Sequence, residues 1–162
     1  MGISGSLQRL WGYQMDKFSS YEGPEKSPGF LLWHVSTSWR SAIEGALKKF
    51  ELTHPQFVIL ASLGWLTREE NLVSQARVGK MAGLDPNTTS QIIRGLEKKE
   101  LVYREPSSDR RVKSPVLTEK GKEVLSKALP AVESEDQHFF NSLSKSEVES
   151  LLLMFRKLAK PE

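Results

Sequence analysis

Ser74-Gln-Ala-Arg-Val-Gly-Lys-Met-Ala-Gly-Leu-Asp-Pro-Asn-Thr-Thr-Ser-Gln-Ile-Ile-Arg-Gly-Leu-Glu97 is the stretch on which the fold turns. Ser74 is a good N-cap and Gly83 tolerates the left-handed conformation that ends a helix, so a short helix is expected between them. Asp85-Pro86 repeats the start signal, with a capping carboxylate followed by proline at the first helical position, where its missing N–H costs little. A second helix then runs from Pro86 to about Glu100. Two helices joined by a tight turn around a glycine form a helix-turn-helix.

Reading toward the C-terminus, Leu101-Val-Tyr-Arg104 predicts a strand, Glu105 to Arg111 a polar loop, and Val112 to Leu117 a returning strand with Pro115 suited to an edge. A two-stranded ribbon behind a helix-turn-helix makes a winged helix. Thr118 caps the next helix, whose stripe of Val124, Leu125, Ala128, Leu129 and Val132 meets an expected kink at Pro130. Ser144-Lys-Ser-Glu147 is a capping box that opens a last helix with Val148, Leu151, Leu152, Phe155 and Leu158 on one face.

Toward the N-terminus, Thr53-His54-Pro55-Gln56 has the form of a capping box and starts a helix from His54 to Leu66, almost wholly apolar and therefore expected to be buried. Before it, Leu31, Leu32, Val35, Trp39, Ala42, Ile43, Ala46 and Phe50 recur at helical spacing and predict a long helix from Phe30 to near Glu51. Glu22 to Gly29 is rich in breakers and reads as a linker, preceded by a possible short helix through Leu7, Leu10, Trp11 and Gln14. The expected fold is mainly α with a small β-wing. Residues 1–29 are an N-terminal extension, 53–117 the winged helix-turn-helix, and 30–52 with 118–162 dimerisation helices, since those helices carry more apolar face than one small domain covers.

The 162 residues suit one compact domain, or one domain with an oligomerisation appendage, and the absence of cysteine excludes disulfides, thiolate zinc sites and cysteine nucleophiles. The longest apolar stretch, Phe57 to Leu66, is about half the roughly 20 residues that cross a bilayer, so no membrane span is expected. Gly2 and Ser6 fit a myristoylation spacing, but a leader rich in Gly and Ser matches it cheaply, and the expected location is the cytoplasm. Net charge is only +3, yet it is unevenly placed. From Ser74 to Leu117 nine basic residues face five acidic ones, a net +4, while the rest of the chain carries 14 against 15, a net −1. The positive charge is therefore concentrated in the expected winged helix, as a nucleic-acid footprint requires.

On a helical wheel of Pro86 to Glu100, Thr89, Ile92, Ile93 and Leu96 gather on the core side, and Asn87, Ser90, Gln91, Arg94 and Lys98 gather opposite. Asn, Gln and Arg make bidentate contacts to base edges, while Ser and Lys serve bases or phosphates. Ser74, Gln75 and Thr88, near the two helix starts, complete the candidate set on the helices. The wing adds Arg110, Arg111 and Lys113, since arginine at a ribbon tip suits the negative potential of a narrow minor groove. Asp109 is out of place beside phosphate unless it orients an arginine.

The run from Leu52-Thr-His-Pro-Gln-Phe57 through Gly83-Leu-Asp-Pro-Asn-Thr-Thr-Ser90, Ile93-x-x-Leu96-Glu97 and Asp109-Arg-Arg111 to Leu117-Thr-Glu-Lys-Gly121 resembles the MarR family of bacterial transcriptional regulators. The likeness covers roughly Phe30 to the C-terminus. It implies a homodimer of winged helices on a pseudo-palindromic double-stranded DNA operator, usually as a repressor, with Pro86 to Glu100 as recognition helix. It also implies that Arg111 reaches the minor groove and Asp109 holds it. Members typically release DNA on binding a small aromatic or phenolic anion. Trp33, His34, Thr37 and Arg40 lie off the main stripe of the first long helix, where a Trp beside a cation suits an aromatic carboxylate. The alternative is that Trp33 packs on a partner subunit and Arg40 makes a surface ion pair.

His34, His54 and His138 are scattered without metal-ligand spacing, so neither metal nor other cofactor is expected. Catalytic signatures such as a phosphate-binding glycine loop, Gly-x-Ser-x-Gly or His-Glu-x-x-His are missing from the sequence, which disfavours an enzyme. The competing reading is a winged-helix module for protein or RNA without operator specificity, disfavoured by Asn87, Gln91 and Arg94 sharing one face.

Overall fold

The computed structural model describes residues 18–68, 72–106 and 113–159. The wing-tip candidates Asp109, Arg110 and Arg111, the expected N-terminal helix and the Gly2/Ser6 motif lie outside these residues. A 3-10 turn at Pro24–Lys26 interrupts the expected linker and leads into α1 (Pro28–Leu47), which therefore starts earlier than Phe30. A second 3-10 turn, Lys48–Phe50, closes on Glu51 in the left-handed region at φ 55°. There follow α2 (His54–Leu66), α3 (Gln75–Ala82), α4 (Pro86–Lys98), β1 (Val102–Pro106), β2 (Lys113–Leu117), α5 (Glu119–Phe139) and α6 (Lys145–Leu158). The described chain is thus mainly helical with a two-stranded wing.

Local hydrogen bonding explains most helix starts. Thr53 and Gln56 exchange both bonds of a capping box, as do Ser144 and Glu147. Ser74, Asp85 and Thr118 each accept backbone N–H groups of the following first turn. Gly83 ends α3 at φ 66°. Pro130 lies inside α5 without ending it. The antiparallel wing strands pair from Val102 with Leu117 to Pro106 with Lys113, so Glu105 and Pro106, expected in the loop, continue the ladder.

Two compact units divide within α1, Met1–Trp39 and Arg40–Glu162. In the second, the core is built from Ile43 and Leu47 of α1, Phe57, Ile59, Leu60 and Leu63 of α2, Val78 of α3, Ile93 and Leu96 of α4, Val102 and Leu117 of the wing, and Ala128 and Val132 of α5. The near-continuous apolar run of α2 makes sense here, because α2 packs against α3, α4, β2 and α5. Among the described residues, no buried side-chain nitrogen or oxygen lacks a hydrogen-bond partner.

Two close approaches set the angles at which elements meet. A Cβ added to Gly79 of α3 would lie 2.6 Å from Thr89 Oγ1 of α4, so glycine lets the two helices of the helix-turn-helix touch. A Cβ on Gly121 would stand 2.0 Å from the Leu101 carbonyl oxygen, which also accepts the Thr118 N–H. His54 sits half-buried in the first turn of α2. Burial and then the Arg40 charge lower its pKa, against the opposing charges of Glu44 and Asp136. No helix of the described residues is long and apolar enough to cross a membrane.

Candidate nucleic-acid interface

The exposed side of α4 follows from its buried side. Thr89, Ile93 and Leu96 are buried and Ile92 half-buried, which turns Asn87, Gln91, Arg94 and Lys98 outward together. Ser90 belongs to the same side but is half-buried, and its Oγ accepts a 3.0 Å bond from Arg94 Nη2. That bond fixes the guanidinium along the helix face while leaving other donors for a ligand. A helix of this length presents side chains over about 20 Å, and an α-helix fits the B-DNA major groove.

The N-terminus of α4 is occupied by its own cap. Asp85 Oδ1 accepts the N–H groups of Asn87 and Thr88 at 3.0 Å each, and Asp85 Oδ2 accepts the Thr88 hydroxyl at 2.5 Å. The Thr88 hydroxyl, then its backbone N–H, and then that of Asn87 hold the Asp85 carboxyl below its ordinary pKa. The cap thus takes up two of the N–H groups that a helix N-terminus otherwise offers to an anion. Thr88 is a part of the cap, half-buried, with its hydroxyl already bonded.

Ser74 likewise caps α3 through the Arg77 N–H at 3.3 Å, while remaining exposed, and Gln75 beside it is half-buried. Arg77 and Lys80 extend the exposed basic surface along α3. Lys113 begins β2, where its backbone pairs with Pro106. In the N-terminal unit Trp33, His34 and Thr37 are exposed, with the His34 ring 4.5 Å from that of Phe30; Arg40, also exposed, opens the second unit. Among the described residues, no group of His, Asp and Glu is arranged to hold a metal ion.

One contact that residue patterns do not reveal ties wing to helix. Arg104 Nε of β1 lies 3.0 Å from Glu97 Oε1 of α4, with both side chains less than one-third exposed. It places the base of the wing relative to the exposed α4 face. Sequence periodicity counts Arg104 only as one more positive charge. At the same, C-terminal end of α4, Lys99 Nζ donates to the Glu51 carbonyl and to Gln56 Oε1, the latter at 3.1 Å.

A recognition-type helix with an outward Asn/Gln/Arg/Lys face, packed in a helix-turn-helix and tied to a two-stranded wing, defines a winged-helix transcriptional regulator that binds DNA. The MarR family model matches residues 52–113, and the uncharacterised HTH-type transcriptional regulator YdcH of Bacillus subtilis (strain 168) is 38% identical over 134 residues, spanning 82% of this chain and 91% of that one. The chain belongs to the MarR family of transcriptional regulators. Its fold is shared by Bordetella bronchiseptica BpsR, whose DNA binding is regulated by 6-hydroxynicotinic acid, with TM-score 0.79, 23% identity and coverage of 89% of this chain and 100% of that one. It is shared as well by a mutant MarR of E. coli complexed with operator DNA, with TM-score 0.74, 21% identity and coverage of 82% and 93% respectively.

Proposed function

We propose that this regulator is a cytoplasmic homodimeric repressor that places α4 of each subunit in the major groove of a pseudo-palindromic operator. The observation that carries the reading is the shared outward face of Asn87, Gln91, Arg94 and Lys98. Arg94 reads a base edge, Gln91 and Asn87 add bidentate contacts, and Lys98 with Ser74, Gln75, Ser90 and Lys113 serves phosphates or flanking bases. Thr88, whose one hydroxyl hydrogen goes to Asp85, holds the helix start instead. Arg110 and Arg111 enter the minor groove, and Asp109 orients Arg111. A small aromatic or phenolic anion releases the DNA, held by Trp33, His34, Thr37 and Arg40. Support for that effector class comes from BpsR, since 6-hydroxynicotinic acid is an aromatic acid.

Operator affinity measured against salt tests the DNA reading. Log K should fall against log salt with a slope near −0.9 per phosphate neutralised, and a flat line would exclude it. Arg94→Ala should reduce discrimination between operator and random DNA by about 1 to 3 kcal/mol. Equal weakening on both sequences would reassign Arg94 to phosphate.

A further inference from the structure

We infer that the cavity between the Lys48–Phe50 turn and the first turns of α5 binds a small phosphorylated molecule, at a place where its occupancy acts on the C-terminal end of α4. The cavity has a volume of about 720 Å³, within the range of small-molecule sites. Lys48, Lys49 and Phe50 form one wall and Lys120, Val124 and Lys127 the other. Glu51 and Glu123 also line it, so its lining holds four lysines and two glutamates. Glu123 is paired with Lys127 at 2.7 Å. Lys49 lies over the Phe50 ring at 5.1 Å, and among the described residues neither Lys48 nor Lys49 has a carboxylate partner. Lysines converging from two walls suit an anion with several acceptor oxygens and more than one charge, and phosphate is such an anion. Phe50 and Val124 provide apolar surface for the remainder of the ligand.

Both walls are tied to the end of α4. Lys120 Nζ donates to the Lys99 carbonyl at 2.9 Å and lies 3.5 Å from Glu100 Oε2. The Lys99 ammonium in turn donates to the Glu51 carbonyl and to Gln56 Oε1. A phosphate beside Lys120 competes with the Lys99 carbonyl and Glu100 for that ammonium and loosens the end of α4. This second step rests on the operator-binding reading; the binding step does not.

Calorimetry on the full chain with pyrophosphate as probe, at about 0.15 M salt, tests the site. Saturable binding should weaken by about tenfold in Lys48→Gln/Lys49→Gln, two surface changes that leave the core intact, and stay unchanged in Arg94→Ala. No saturable binding, or loss in Arg94→Ala with none in the lysine variant, overturns the proposal, the latter because the probe would then sit on the DNA face. Pyrophosphate should also weaken operator binding more in the unmodified protein than in the lysine variant. Equal weakening refutes the coupling to α4. Absence of any operator binding refutes the DNA reading and leaves the calorimetric result standing.

Discussion

Gly121 has no room for a methyl group. Its missing side chain lets the first turn of α5 approach the Leu101 carbonyl, and a Cβ there would meet backbone rather than a movable side chain. Gly79 differs, because its obstacle is the Thr89 side chain, and the helix propensity gained by alanine offsets part of the cost. We expect Gly121→Ala to destabilise the fold by about 3 kcal/mol and Gly79→Ala by less, as read from urea denaturation midpoints. The same scale separates two kinds of α4 residue. Thr88 and Asp85 hold the helix start, whereas Asn87, Gln91, Arg94 and Lys98 point outward, although all six were legible as polar positions in the sequence.

The helices α2 to α5 are each held by a start signal and a packing partner. For α4 the start is the Asp85 carboxylate, whose pKa is depressed by its bonds to Thr88 and Asn87. A carboxyl with a lowered folded-state pKa stabilises the fold above its unfolded pKa, and the contribution disappears as pH falls through the folded-state value. The stability difference between the protein and Asp85→Ala should therefore be full at neutral pH and close on acidification below the ordinary carboxylate range. Thermal denaturation across that range checks it, and a pH-independent difference would assign the cap effect to something other than charge. Capping boxes at Thr53 and Ser144 made the starts of α2 and α6 readable, because their bonds span only three residues. The end of β1 was not readable that way. Glu105 and Pro106 join the strand because Ser114 and Lys113 stand opposite them, and that pairing is set by the returning chain.

At the scale of the molecule, the single chain leaves apolar surface uncovered. On α6 no residue is buried, and Leu152, Leu153, Met154, Phe155 and Leu158 are exposed. The N-terminal half of α1 exposes Phe30, Leu31, Leu32, Trp33 and Val35, although the stripe continues into buried Ile43 and Leu47. Surface of this kind marks an interface, and a second copy is the occupant that the proposed homodimer calls for. Sedimentation at micromolar concentration should give a dimer. Leu153→Glu/Phe155→Glu should weaken association by at least about 30-fold and lower operator affinity with it. An unmodified protein that sediments as a well-folded monomer would remove the dimer from the proposal.

The sequence by itself determined the helix starts, the helix-turn-helix and the outward face of α4, because caps act over one turn and helical periodicity sorts side chains by face. The concentration of basic residues between Ser74 and Leu117 was equally a property of composition along the chain. Tertiary structure alone decided that Arg104 pairs with Glu97, that Lys99 reaches Glu51 and Gln56, and that α5 closes on Leu101 at Gly121. It also decided which part of the α1 stripe is core and which part is exposed. These contacts join residues on different elements, Lys99 and Glu51 being 48 positions apart, and no local pattern encodes which side chains the folded backbone brings within hydrogen-bond distance.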